Sequence, residues 1–226
     1  MSSAIDGQPV PHAYTNTVTQ LGEFVTKRYR GADIGRRQHR EELAIRSLTG
    51  LLPVATIVES APGALVFRKV AGRHGQDVLD GGGGAVVMSA LGLLLRQLQA
   101  ITPSFYDEFR GDGVLVHRDF GPNNVLLSDN GSIALLADWE WSGVGNPVDD
   151  LAWAEFIIRM HHPREVGCLT ALFDGYGQRP VWAKRQAAMA RRAADMEAWV
   201  TLWEGTPAAA SWRYRSTCIA GWREVV

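Results

Sequence analysis

The stretch that decides the fold of this chain runs from His117 to Asp138 and reads HRDFGPNNVLLSDNGSIALLAD. Two apolar runs, one before Ser128 and one after Ser132, flank the pair Asn130-Gly131. An Asn-Gly pair between apolar runs is the strongest short-range signal for a β-hairpin, because both residues tolerate positive φ. The stretch therefore predicts two antiparallel strands that turn at the Asn130–Gly131 bond.

The open end of this hairpin collects polar side chains. Pairing about the turn places Asn124 opposite Ala137 and Asn123 opposite Asp138, and Asp119 arrives there from the preceding loop. Two carboxylates and a side-chain amide are oxygen ligands, which suit a hard cation such as Mg²⁺. A plain surface hairpin with polar ends is the alternative, but the joint spacing of these residues with His117 favours a functional site.

The same residues carry a resemblance to a known family. His117-Arg118-Asp119 followed by Asn124 and Asp138 resembles the catalytic core of protein-kinase-like phosphotransferases. The segment 145–152, GNPVDDLA, is similar to the Gly-Asp-Pro-x-x-Asp-Leu-Ala segment of the aminoglycoside phosphotransferase and choline kinase group, whose members phosphorylate small molecules. Asp138-Trp139-Glu140 stands where protein kinases have Asp-Phe-Gly, and no Ala-Pro-Glu follows, which argues against a protein substrate.

The resemblance implies a fold and a set of roles. We expect an α+β, two-lobed, protein-kinase-like fold, with a strand-rich nucleotide-binding lobe over residues 1–72 and a helical lobe over residues 73–226. The implied cofactors are ATP and Mg²⁺. Asp119 would be the catalytic residue, and Asn124 and Asp138 would hold the metal. His117 and Asp150 would brace the catalytic loop, Asp150 from the start of a helix that it can cap.

The first third supplies a lysine and an acid. Lys27 lies in a stretch, residues 24–29, that is similar to the family's lysine-bearing strand. The following helix offers two neighbouring acids. Glu41 shares a face with Ala44, Ile45 and Leu48, whereas Glu42 lies on a more polar face. An acid on an inward face needs a buried partner, so Glu41 is predicted to pair with Lys27.

Two further segments extend the resemblance to the nucleotide. Residues 14–18, which include Asn16, resemble the family's nucleotide-covering loop and second strand. Residues 65–72 resemble the hinge that binds adenine, where Arg68 and Val70 would contribute main-chain groups. The glycine-rich loop is poor, since only Gly7 precedes Asn16, and Arg118 stands where small-molecule kinases usually have glycine.

Periodicity predicts the remaining elements. Strands are expected over 15–20, 23–29, 64–70 and 114–116, helices over 36–52 and 86–101, and mainly helices from about residue 149. The run Asp80-Gly81-Gly82-Gly83-Gly84 lacks the Gly-Lys-Ser/Thr of a phosphate-binding loop, so a flexible hinge before a helix is expected.

Composition bounds the function. The chain has 226 residues, is 46% hydrophobic and has a net charge of -1, so its charge gives no case for nucleic acid or acidic lipid. Its longest apolar run, 85–95, is far shorter than the ~20 residues of a membrane span. The distant cysteines Cys168 and Cys218 and the absence of a signal-like start are typical of a cytoplasmic protein. Oligomeric state is left open.

The acceptor is the least defined partner. From Leu151 onward the chain has ten basic and seven acidic residues, which predicts a hydroxylated small molecule of low positive charge, nucleoside-like or macrolide-like, over a strongly cationic aminoglycoside. Two alternatives stay open. One is a catalytically weak or inactive kinase-fold protein with a nucleotide-binding or regulatory role. The other is a metal-dependent hydrolase that uses the same carboxylates, but this alternative does not explain the pair Lys27 and Glu41.

Overall fold

The structure, a computed structural model, describes residues 7–12, 15–203 and 206–224. Its first part is an antiparallel sheet of five strands, whose order across the sheet is β1-β2-β3-β5-β4. Along the chain, one helix, α1, lies between β3 and β4. The elements are β1 (Gln8–Pro9), β2 (Thr17–Leu21), β3 (Phe24–Arg28), α1 (Ile34–Leu48), β4 (Ile57–Ala61) and β5 (Ala64–Arg68). Two tight turns contain a glycine with positive φ. The turn at Gly22 joins β2 to β3, and the turn at Gly63 joins β4 to β5.

Helix α1 is shorter than predicted at its C-terminal end. It begins after Asp33, which has a left-handed conformation, and ends at Leu48 rather than at Leu52. The end follows from the backbone, because Thr49 has left the helical region and Gly50 has a φ of 81°. The helix still presents Glu41 on its buried face, which is the feature that the site requires.

The second part is mainly helical, with small sheets that hold the loops. Its elements are β6 (Arg73–His74), α2 (Gly75–Val78), α3 (Gly84–Gln99), β7 (Val114–Val116), β8 (Val125–Leu127), β9 (Ile133–Leu136), β10 (Gly143–Gly145), α4 (Val148–His161), α5 (Leu169–Tyr176), α6 (Trp182–Trp203) and α7 (Thr206–Gly221). The predicted α+β class, with strands first and helices after, is confirmed. The boundary at residue 72 stays a prediction.

Helix α3 is the central helix of the second part. Its apolar side chains, such as Leu91 and Leu95, are fully buried, and they share one hydrophobic core with Leu48 of α1 and Leu65 of β5. Helix α5 approaches α3 closely because of glycine. A Cβ at Gly92 would lie 2.3 Å from the Leu172 carbonyl oxygen, so no larger residue fits there without a shift of backbone.

The glycine run marks a break between two helices, as the sequence predicts. Helix α2 ends before it and α3 begins at its last glycine, and between them the chain kinks at Gly82, whose φ of 86° is not helical. Glycine adopts this conformation without strain, and the flexibility of the run stays a prediction. By length and composition alone the stretch 75–99 is apolar enough to cross a membrane, although half of its most apolar window is buried inside the protein.

The central hairpin has the predicted register at its open end. Val125 pairs with Leu136, and the Ala137 N–H donates to the Asn124 carbonyl oxygen over 2.8 Å, as the turn position required. Near the turn, a bulge shifts the pairing so that Leu127 faces Ile133. The turn is a five-residue loop, 128–132, instead of a two-residue turn, and of the central pair only Gly131 has positive φ.

Candidate active site

Lys27 lies on β3 with its ammonium between carboxylates. Nζ donates to Glu41 Oε2 over 2.5 Å and also to Asp138 Oδ1, and Glu140 Oε1 lies 3.9 Å away. Burial alone would lower the pKa of this lysine, but the negative charges of Asp138, Glu41 and Glu140 outweigh burial and raise the pKa. Lys27 is therefore a fixed positive charge, with its side chain only 7% exposed.

The structure pairs Lys27 with Glu41, the acid that the sequence favoured. Glu41 Oε2 also accepts a hydrogen bond of 2.6 Å from the hydroxyl of Tyr29, the residue that follows β3. This one oxygen therefore accepts from both Lys27 and Tyr29. Burial raises the pKa of Glu41, against the opposing charge of Lys27. Glu42 points elsewhere and forms a surface ion pair of 2.7 Å with Arg46.

Asp138 follows β9 in the left-handed backbone conformation, with a φ of 69°. Aspartate adopts this conformation more readily than most residues, and here it turns the carboxylate back toward Lys27. Burial would raise the pKa of Asp138, but the charge and hydrogen bond of Lys27 lower it overall. The carboxylate is thus kept ionised, which a metal ligand requires.

Glu140 and its partners tie the two parts of the molecule together. Glu140 Oε2 accepts 2.7 Å from the guanidinium of Arg37, and both side chains are fully buried. Asn16 Nδ2 donates to Glu140 Oε1 over 2.9 Å, while Asn16 Oδ1 accepts from the Arg30 N–H. Burial raises the pKa of Glu140 to about 8.

Asn16, expected at the nucleotide, does line the cavity described below, but its side chain is engaged with Glu140 and Arg30. Tyr14 of the same expected loop lies outside the described residues.

Asp119 has one donor on each carboxylate oxygen. Asn124 Nδ2 donates 2.8 Å to Oδ2, and it also donates 2.7 Å to the main-chain oxygen of Asp119. The Trp153 indole N–H donates 3.0 Å to Oδ1. Hydrogen bonds to an ionised group are the stronger ones, so the carboxylate is held in one orientation from both sides.

His117 and Asp150 are arranged as loop braces. The carboxylate of Asp150 accepts 2.6 Å from the His117 N–H and 2.7 Å from the Arg118 N–H. The His117 ring lies between the Ala137 carbonyl oxygen, 2.9 Å from Nε2, and the Asp119 N–H, 3.2 Å from Nδ1. These partners assign the neutral tautomer with a proton on Nε2, and burial lowers the pKa of His117 in agreement.

Asp150 holds the loop of residues 117–119 rather than its own helix. It lies in the first turn of α4, where the sequence placed it as a cap, but its described hydrogen bonds go to residues 117 and 118. Burial raises the pKa of Asp150 to about 6. The brace supports a strained point, since Arg118 has a φ of 64°, where glycine is the usual choice. Arg118 also donates 2.8 Å to the Val144 carbonyl oxygen.

A cavity of about 520 Å³ joins these groups, which is the size of an ordinary small-molecule site. Its lining includes the polar groups of Lys27, Asp119, Asn124 and Asp138. It also includes apolar side chains from both parts of the chain, Val25, Ile45, Ala55, Phe67, Leu126 and Leu135. One cavity thus combines apolar side chains with fixed charges.

The predicted hinge residues Arg68 and Val70 both line the cavity. Lys69 donates its N–H to Glu23 across the sheet, and the Arg68 N–H donates to Thr56 on the other side. The Arg68 N–H is therefore engaged within the sheet, and the expected main-chain contacts of this segment with adenine stay a prediction.

The side-chain oxygen atoms of Asn124 and Asp138 fit a hard cation. The nitrogen of the Asn124 amide is fixed by Asp119, so its oxygen is the atom presented to a metal. With the ionised Asp138 carboxylate, this gives two oxygen ligands, and Mg²⁺ usually takes one or two protein ligands plus phosphate oxygens. Glu41, Asp138 and Glu140 also place ligand atoms within 4.8 Å of one another, but the Lys27 ammonium already interacts with all three.

Sequence reasoning missed a second cluster at the cavity. His12, His74 and Asp77 place ligand atoms within 4.8 Å of one another, and all three line the cavity. The two imidazole rings stack at 4.1 Å between centroids, and His12 Nε2 lies 3.1 Å from Asp77 Oδ1. No motif in the sequence links these residues, because the fold alone brings position 12 to positions 74 and 77.

Two other functional contacts were also missed. No motif in the sequence singles out Trp153, although it directly follows the Asp-Leu-Ala segment at the start of α4 and donates to Asp119. Arg37, one turn before Glu41, was not considered, yet it is the buried partner of Glu140. The i, i+4 spacing of Arg37 and Glu41 on one buried face was the available signal.

Comparisons with known proteins test the predicted family and fold. The sequence model of the family described as "Phosphotransferase enzyme family" matches residues 89–189, a range that contains Asp119, Asn124, Asp138 and Asp150. A comparison with curated proteins finds no significant sequence match.

Solved structures share the fold over nearly the whole chain. The GDP complex of aminoglycoside 2'-phosphotransferase-IIIa is 12% identical, with a TM-score of 0.71 over 94% of this chain and 91% of that chain. A thermostable mutant of aminoglycoside phosphotransferase APH(4)-Ia, in ternary complex with ADP and hygromycin B, is 17% identical, with a TM-score of 0.66 over 96% and 94%. Macrolide 2'-phosphotransferase MphH from Brachybacterium faecium is 16% identical, with a TM-score of 0.60 over 93% and 90%.

The fold is therefore the protein-kinase-like fold that the sequence predicts. Within that class, the resemblance to the aminoglycoside phosphotransferase family is confirmed by the family match and by the shared fold.

Proposed function

We propose that this protein is an ATP-dependent phosphotransferase that moves the γ-phosphoryl group to a hydroxyl of a small molecule in the cytoplasm. One observation carries the proposal. Lys27, Asp119, Asn124 and Asp138 line one cavity together with apolar side chains of both parts of the chain, and this is the set of groups that a nucleoside triphosphate needs. The family match over residues 89–189 and the shared fold support a phosphotransferase that acts on small molecules.

The nucleotide would bind across this cavity. Its base would lie against the apolar side chains of the cavity. There the Arg68 carbonyl oxygen and the Val70 N–H would supply main-chain hydrogen bonds. Its phosphates would meet Lys27, whose charge is fixed by Glu41. Asn124 and Asp138 would hold Mg²⁺, which neutralises charge on the phosphate oxygens when it is bound.

Asp119 would act on the acceptor hydroxyl. Its carboxylate, held by Asn124 on one oxygen and Trp153 on the other, would orient the hydroxyl toward the phosphorus and accept its proton late in the transfer. His117 is neutral, and both of its nitrogens are engaged, so it would position the loop without exchanging protons. Catalysis in this scheme is mostly orientation and charge stabilisation.

A nucleotide-binding protein without turnover is the second candidate. Its support is the contact between Lys27 and Asp138, which engages a proposed metal ligand, and the position of Gly7. A Cβ at Gly7 would lie 2.7 Å from the Gln20 carbonyl oxygen, so this glycine packs on β2 and is not part of a phosphate-covering loop.

The two candidates differ in one experiment. The protein is incubated with ATP, Mg²⁺ and a library of hydroxylated small molecules, and products are detected by the mass of an added phosphoryl group. A phosphorylated acceptor and equimolar ADP are expected, and the Asp119→Asn variant should bind ATP normally but form product about 10²–10⁴-fold more slowly. ATP binding with no product from any acceptor would favour the second candidate.

A further inference from the structure

Arg192, on α6, lies beside the proposed catalytic residue and outside the nucleotide cavity. Its Nε donates 2.9 Å to the carbonyl oxygen of Arg118, the residue before Asp119. Its guanidinium carbon lies 5.6 Å from the ring centroid of Trp153, whose indole N–H binds Asp119 Oδ1. A second ring, Trp141, has its centroid at 5.5 Å from the same carbon. Main chain and aromatic rings thus fix this cation in place.

The side of Asp119 that Arg192 occupies is the side away from the nucleotide. Asp119 Oδ2 faces Asn124, which lines the 520 Å³ cavity together with Asp119. Oδ1 faces Trp153, and neither Trp153 nor Arg192 is among the residues that line the cavity. In the proposed reaction, the acceptor hydroxyl would approach Asp119 from outside the nucleotide cavity. The rest of the acceptor would then lie on the side of Trp153 and Arg192.

The guanidinium has donors to spare. Among the described residues, the hydrogen bond from Nε is the single one that Arg192 makes, and it has no ion pair within 4.0 Å. The four N–H bonds of its two terminal nitrogens remain for a ligand. Burial lowers the pKa of Arg192, and Asp119, Asp150 and Asp195 oppose that effect from a distance. A partly desolvated arginine without a carboxylate partner is costly unless a ligand supplies the anion.

We propose that Arg192 is the recognition group for an anionic oxygen group, a carboxylate or a phosphate ester, on the acceptor molecule. This inference rests on the proposed function, and it narrows the acceptor to a hydroxylated small molecule that also carries a negative charge. The fork of a guanidinium matches both oxyanions in a bidentate manner. A polycationic acceptor would instead be repelled by Arg192 and by the neighbouring Arg118.

The test uses probes that differ only in charge. The 3- and 4-isomers of (hydroxymethyl)benzoate, (hydroxymethyl)benzamide and (hydroxymethyl)benzylamine share the hydroxyl and the ring and are anionic, neutral and cationic. Their dissociation constants are measured by calorimetry on the full chain, saturated with Mg²⁺ and a non-hydrolysable ATP analogue. Wild-type protein should bind the better benzoate isomer about 10- to 100-fold more tightly than its amide, and the benzylamine more weakly than both.

Two variants assign the preference to one side chain. Arg192→Gln should bind the benzoate no better than the amide, with an unchanged dissociation constant for the ATP analogue. The matched control is Arg191→Gln, because Arg191 is the preceding residue, is exposed and pairs with Asp149 at 3.1 Å. It should keep the preference for the benzoate.

Several outcomes would overturn the inference. Equal binding of the three probes to the wild-type protein would overturn it. This result needs no variant, so the test holds even if Arg192→Gln does not fold. Loss of the preference in Arg191→Gln as well would show a general surface effect. If Arg192→Gln slows transfer to all acceptors equally with unchanged acceptor KM, the arginine acts on the transferred phosphoryl group instead. Because binding is measured without turnover, failure of the proposed activity leaves the inference separately testable.

Discussion

The substitution Glu41→Gln removes one negative charge from the cluster around Lys27 and keeps the shape of the side chain. In the structure, one oxygen of Glu41 accepts from Lys27 over 2.5 Å and from the Tyr29 hydroxyl over 2.6 Å. The amide of glutamine still offers one oxygen, but it no longer balances the ammonium. Lys27 is then held mainly by Asp138, the proposed metal ligand.

The magnitude follows from the buried environment. Removal of one partner from a buried ion pair typically costs about 3–5 kcal/mol. That range is a cost in folding stability, and its lower end applies because Asp138 and Glu140 remain near Lys27. We expect a loss of the same size in the stabilisation of the ATP phosphates by Lys27, and about 3 kcal/mol of activation free energy corresponds to about 10²-fold in rate. We expect kcat/KM for ATP to fall by about 10²-fold. The Mg²⁺ concentration for half-maximal activity should rise, because Lys27 competes for Asp138.

The assay compares this variant with Glu42→Gln. Glu42 is the neighbouring acid, and its ion pair with Arg46 lies at the surface at i, i+4, where such pairs contribute only about 0.3–0.5 kcal/mol. Steady-state kinetics at several Mg²⁺ concentrations should show Glu42→Gln within about twofold of the wild type. Equal losses in the two variants, or a larger loss for Glu42→Gln, would refute the assignment of the lysine's partner.

Three further predictions concern the catalytic loop. Asp138→Ala should abolish most Mg²⁺-dependent ATP binding by calorimetry, whereas Asp129→Ala, on the exposed hairpin loop, should not; equal losses would contradict the metal assignment. Trp153→Phe keeps an aromatic ring but removes the donor to Asp119, so kcat should fall about 10- to 10²-fold with unchanged ATP affinity, and an unchanged kcat would deny Trp153 a positioning role. The raised pKa of Asp150, about 6, means that the unfolded chain loses this proton first as pH rises. The free energy of unfolding should therefore fall by up to about 3 kcal/mol between about pH 4 and pH 6, and Asp150→Asn should lack this component in denaturant titrations at several pH values.

The local part of the site could be predicted from the sequence. The Asn130-Gly131 turn sets the position about which the hairpin pairs, and that pairing brought Asn124 and Asp138 to one end despite the bulge near Leu127. The choice of Glu41 over Glu42 depended only on which face of a helix is apolar, and that pattern survives an error of several residues in the end of α1.

Contacts between distant segments could not be predicted in this way. Asn16 was placed at the nucleotide by resemblance, but its amide binds Glu140, a residue 124 positions later, and Glu140 in turn binds Arg37. Strand β10 is only three residues long, contains two glycines and has no alternating pattern that would predict it. Its contacts are with distant segments, through its pairing with β7 and the hydrogen bond from Arg118 to Val144. The glycine run 80–84 predicts a break before α3, but composition does not show that another short helix, α2, precedes the break.

The central claim is that Asp119 directs the ATP γ-phosphoryl group to an acceptor hydroxyl. The most direct test is a single-turnover reaction with γ-¹⁸O-labelled ATP and Mg²⁺, in which the labelled phosphoryl group is traced by mass spectrometry in wild-type protein and Asp119→Asn. The account predicts that the label appears in a phosphate ester of the acceptor with the wild-type protein, and that Asp119→Asn binds the same ATP but transfers almost none of it. Label that appears only in inorganic phosphate, or equal transfer by the two proteins, would contradict it.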